Sequence, residues 1–141
     1  MGECNNVPGW AGKVEGLNYQ ISRVESRVSE LNSLHVSHLS RPGMEEGGEQ
    51  EERIAQMTAD MTKQFSECNK QLAALQRHST TLTGSQKRVL TNIVTNLVTR
   101  LQEITGDFRL SQGNYLRKVE AREQRNNQYF TSFTQDDEVE I

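Results

Sequence analysis

Apolar residues recur in steps of three and four along three separate stretches of this 141-residue chain. That spacing puts them on one face of an α-helix, and a helix with a single apolar face is stable only when another element covers it. The first stripe runs Trp10, Val14, Leu17, Ile21, Val24, Val28, Leu31 and Leu34. Lys13, Glu15, Arg23, Glu25, Arg27 and Glu30 interleave it and make a solvated face of mixed charge. The segment ends at Arg41-Pro42-Gly43, because proline restricts the residue before it and has no N–H to donate.

The stretch 44–52 (MEEGGEQEE) reads as an acidic loop merging into the next helix, whose exposed first N–H groups favour carboxylates. The second stripe is Ile54, Met57, Met61, Phe65, Cys68, Leu72 and Leu75, fading at Arg77-His78. A short polar turn follows over 79–85, where Thr83 and Gln86 have capping-box spacing. So short a connection makes the second and third helices antiparallel neighbours. The third stripe is Val89, Ile93, Leu97, Leu101, Ile104, Phe108, Tyr115 and Val119, widened by Leu90, Val94, Val98 and Leu116. Its width implies contact with both other helices. Past Arg125 the periodicity stops, and Asn126-Asn127-Gln128, then Asp136-Asp137-Glu138 and Glu140, read as a linker or frayed acidic tail.

The expected fold is all-α, an antiparallel up-down-up three-helix bundle with a left-handed twist. Its parts are a flexible tail over about 1–9, a bundle over about 10–128 and an acidic tail over about 129–141, with helices near 10–40, 50–78 and 84–126. With 33% apolar and 25% charged residues the composition suits one buried stripe per helix. A net charge of −3 argues against nucleic acid as the main ligand, since phosphate binding needs a basic face. No run approaches the roughly 20 apolar residues of a membrane span, and no leader pattern opens the chain. Cys4 and Cys68 make no disulfide framework, so a soluble chain in a reducing cytosol is expected.

No catalytic constellation emerges. His35 and His38 lie one turn apart and His78 is remote, too few ligands for zinc, so packing or hydrogen bonding at the bundle end is the better reading. No metal or cofactor is expected. His78, at the end of the second helix, is placed to meet the negative end of the helix dipole. Cys68 falls on the apolar face, where a thiol behaves as a small hydrophobe, and Met57 and Met61 are read as core filling. Arg117, Lys118, Arg122 and Arg125 form the single basic cluster. Either they complement the end of the third helix, or they contact an acidic partner or membrane headgroups.

Two blocks carry more than periodicity. One is Pro8-x-Trp10 with Val14, Leu17 and Tyr19, then Leu31-x-x-Leu34-His35-x-x-His38-Leu39-x-Arg41-Pro42. The other is Tyr115-Leu116-Arg117-Lys118, then Arg122-Glu123-x-Arg125, with Phe130 beyond. Together they resemble the N-terminal three-helix domain, the Habc domain, of syntaxins of the trans-Golgi/endosomal branch. The resemblance implies a tail-anchored target-membrane SNARE on the cytosolic face of trans-Golgi and endosomal membranes. Its implied partners are other SNARE proteins and a Sec1/Munc18-type regulator. No heptad SNARE motif or membrane anchor follows the third helix here, and residues 1–9 lack the Arg- and Thr-containing peptide that engages the regulator. A fragment incapable of fusion by itself is therefore expected. Two other readings compete: a spectrin-like structural spacer, and an enzyme built on a bundle, which would need inward Glu and His at paired positions.

Overall fold

The computed structural model describes residues 7–40 and 47–139, with side chains over 7–40 and 48–128. Expectations for the start of the N-terminal tail with Cys4, for the break at 41–46 and for the last two residues lie outside these, as do side chains of the acidic end. Three helices make up the fold: α1 (Ala11–Ser40), α2 (Gly47–Thr81) and α3 (Gly84–Val139). Every pair of them is in contact. Arg100 of α3 reaches Asn18 and Ser22 of α1, and Tyr115 reaches His38, so α1 and α3 run parallel. Phe65 of α2 meets Phe108 of α3 across a turn of two residues, 82 and 83, so those helices run antiparallel. The order is up, down, up.

α1 opens from a turn at Gly9 and Trp10; the Ala11 N–H donates to the Pro8 carbonyl and the Val14 N–H to that of Trp10. The stripe pattern then accounts for the core. Leu17, Ile21 and Leu31 of α1, Met61 of α2 and Leu90 of α3 are wholly enclosed, with Val24 and Cys68 beside them. Met61 and Cys68 fill the core as expected of them. Burial, and then the charge of Glu67, push the Cys68 thiol up from its ordinary range, so it stays protonated and unreactive.

The third stripe needs correction at two positions. Val89 and Leu116, expected on the buried face, are 48% and 56% exposed. Each has a buried chain neighbour, Leu90 and Tyr115, that takes the inward position instead. Adjacent residues sit about 100° apart on a helix, and at these two pairs one member turns inward and the other outward. The ends differ as well. α2 runs on to Thr81, and α3 does not stop near 126 but continues through the polar stretch to Val139. No glycine or proline follows Gly113 to interrupt it, and its Gln, Arg and Glu residues are good helix formers.

The turn into α3 depends on Gly84, which follows Thr83 and has φ at 65°. A Cβ there would meet nothing within 4 Å, so the glycine is needed for its backbone conformation and not for space. Gly84→Ala is therefore expected to cost about 1–2 kcal/mol, and Gly84→Asn less, since Asn visits this region more readily. Urea midpoints would measure both, and an alanine variant as stable as the parent would refute this account of the turn.

Candidate interaction surfaces

The two sequence blocks meet in space. Two successive turns of α1 present Asn32, His35 and His38 to Ser111 and Tyr115 of α3, forming a polar seam within a mostly apolar core. His35 and His38 are 4% and 6% exposed. The Ser111 hydroxyl lies between Asn32 Oδ1, to which it donates, and His35 Nδ1, 3.1 Å away. The other ring nitrogen, Nε2, is buried with no partner among the described residues. Protonating both ring nitrogens would therefore bury an unpaired charge. Burial, and then the nearby His38, accordingly hold His35 below its ordinary value of 6.5.

Tyr115 joins the two histidines. Its ring stacks on His35 at 4.2 Å, 12° from parallel, and its hydroxyl lies 3.1 Å from His38 Nδ1. Burial, and then the charge of Glu51, raise the tyrosine above its ordinary value, so the hydroxyl keeps its proton beside His38 Nδ1. His38 Nε2 faces Glu51 of α2 at 3.7 Å, which brings α2 into the seam as well. The reading of the HxxH pair as a bundle-end hydrogen-bonding device therefore fits. Among the described residues no three His, Cys, Asp or Glu side chains converge as metal ligands. His78 is exposed in the last turn of α2, as its position implied.

The basic cluster lies elsewhere than a helix end. Because α3 continues, Arg117, Lys118, Arg122 and Arg125 sit within it, and its last turn holds no basic residue, which removes the dipole reading. Arg117 donates to the Gly113 carbonyl and to Asn114 Oδ1, and Arg125 to the Ala121 carbonyl. Arg117, Lys118 and Arg125 are exposed and Arg122 half-buried. Lys118 also lines a groove of about 520 Å³ between α1 and α3, whose wall includes the exposed Val36 and Leu110. A second groove, of about 410 Å³, separates α2 from α3.

Sequence periodicity missed one inter-helix clamp. The Arg100 guanidinium spans Asn18 Oδ1 at 2.7 Å and Ser22 Oγ at 2.9 Å, with Glu25 at 3.9 Å. Asn18, Ser22 and Glu25 share one face of α1 by their spacing. That spacing was the available signal, although it names no partner on α3.

Comparison with known proteins bears on what such surfaces serve. Human Syntaxin-16 is 32% identical over 123 residues, 87% of this chain and 38% of its own length. The chain is a homologue of the syntaxin-16 group. The fission-yeast "t-SNARE affecting a late Golgi compartment protein 2" is 28% identical over 80% of this chain and 37% of its own. Arabidopsis Syntaxin-43 is 28% identical over 79% of this chain and 33% of its own. The chain thus spans between a third and two-fifths of the length of these relatives. No protein-family model matches it. Among the described residues no helix is long and apolar enough to cross a membrane.

Proposed function

We propose that this chain is the N-terminal regulatory domain of a target-membrane SNARE of the syntaxin class, acting in vesicle fusion at the trans-Golgi network and endosomes. The observation that carries this is the likeness to Syntaxin-16 and its yeast and plant counterparts over about four-fifths of the chain. The domain acts by binding and not by catalysis, with SNARE proteins and a Sec1/Munc18-type regulator as its partners. As a monomer it offers grooves between helix pairs, in which an amphipathic helix can bury its apolar face. Arg117, Lys118, Arg122 and Arg125 are proposed to meet acidic groups of such a partner. In the whole protein the domain faces the cytosol, and a membrane anchor lies outside the part described.

A spectrin-like spacer is the second reading, favoured by α3 continuing as one helix beyond the polar seam to Val139. Deleting the domain from the full-length protein, and supplying it in trans, separates the two. The regulatory reading expects altered SNARE assembly, altered regulator binding or missorting at the trans-Golgi network. If all three stay unchanged, the spacer reading replaces it.

A further inference from the structure

At the end of the bundle away from the histidine seam, the start of α1 and the end of α2 frame a groove of about 940 Å³. Trp10 and Leu75, 7% and 3% exposed, contribute its apolar surface. Lys13 and Arg77 supply positive charge beside His78, and no carboxylate lines it, in a chain whose net charge is −3. Positions three and four residues from each of these cations hold only Gly, Ala, Leu, Thr or Trp, so no acid on the same helix is placed to pair with them. Glu15, the acid nearest the start of α1, does not line the groove. The turn into α3 brings Lys87 and Arg88 to the same end of the bundle, and adds no acid there.

The wall of the groove also leaves room for an occupant. Gly16 sits inside α1, where alanine would favour the helix, yet a Cβ there would meet nothing within 4 Å. The space it leaves on the groove wall is not used by the fold itself.

We propose that this groove docks an acidic amphipathic segment of a protein partner, with apolar side chains on Trp10 and Leu75 and carboxylates facing Lys13, Arg77 and His78. The inference deepens the partner-binding reading above and rests on it for the ligand being a protein. Electrostatic complementarity of this kind selects the partner and speeds its arrival, while the apolar contact holds it.

The test uses the whole chain and a labelled peptide of about two heptads, with leucines at helical spacing flanked by glutamates, beside its counterpart with lysine for glutamate. The glutamate peptide is expected to bind, shifting the NMR signals of the Trp10 indole N–H and of Lys13, Gly16, Arg77 and His78. Arg77→Glu or Lys13→Glu should weaken it about tenfold or more, by turning attraction into repulsion. Gly16→Leu, at a position with room in the folded chain, should block it while leaving the circular dichroism spectrum intact. The proposal is overturned if neither peptide binds, if the lysine peptide binds equally, or if binding ignores these variants. It is also overturned if Trp10 is covered by a second copy of the chain, or if anionic vesicles compete the peptide off through the same cations. These measurements involve no SNARE, so failure here leaves the trafficking reading to its own deletion test.

Discussion

Phe108→Ala is expected to lower the unfolding free energy by about 3–5 kcal/mol, and Phe65→Ala by a similar amount. The two rings lie 5.3 Å apart and tilted by 39°, one on α2 and one on α3, and they are 7% and 6% exposed. Removing either ring takes its buried apolar surface out of the core and leaves its partner beside a cavity that rigid helices cannot close. The tilted geometry adds an edge-to-face attraction, so the double variant should cost less than the sum, with a coupling of about 0.5–1.5 kcal/mol. Urea unfolding of the four proteins gives all these quantities. Single variants with near-parental midpoints would mean that the rings do not form the α2–α3 contact described.

Acidification should destabilise the chain through His35. In the fold this imidazole is neutral and its pKa is held below the ordinary 6.5, whereas in the unfolded chain it takes up a proton near that value. Below about pH 6.5 the unfolded state binds more protons than the folded one, so stability falls with pH. The contribution is complete above 6.5 and is lost as pH drops towards the depressed folded value. The charged and titratable groups around the ring are His38 on α1, Tyr115 on α3 and Glu51 on α2. None offers Nε2 an acceptor for a second proton, since Tyr115 and Glu51 are engaged with His38. Urea midpoints from pH 8 to pH 5 should slope downward for the parent and less so for His35→Gln. Parallel curves over that range would show that His35 is not the group responsible.

Helix identity was legible because it depends on local spacing alone. Leu17, Ile21, Met61, Phe65, Leu97 and Leu101 would be buried in almost any bundle built from these stripes. Rotational phase is another matter, as Val89 and Leu90 illustrate: both are apolar and adjacent, and the choice between them belongs to the facing helices. The extent of α3 was also not legible, since a polar stretch lacking glycine and proline can continue a helix that packing elsewhere has started. The histidine seam was half legible. HxxH spacing placed both rings on one face, but their partners Ser111 and Tyr115 are more than seventy residues away and are neutral. Hydrogen bonds between neutral side chains leave no charge pattern to read. The basic cluster shows the opposite failure, where a visible charge pattern was tied to a helix terminus that lies further on.

The length of α3 changes how its far part must respond to heat. Starting a helix in water is unfavourable, because several residues are ordered before the first bond repays them. For residues beyond Val119, the last described side chain packed on the core, that step has already been taken inside the bundle. Apart from the contacts of Arg122 and Asn127, each added residue then needs little more than propagation, whose equilibrium constant is close to one. Such an overhang should shorten and lengthen gradually, residue by residue, while the bundle melts all at once. Ellipticity should therefore drift with temperature ahead of the main transition, and amide protection should decline in steps towards Val139.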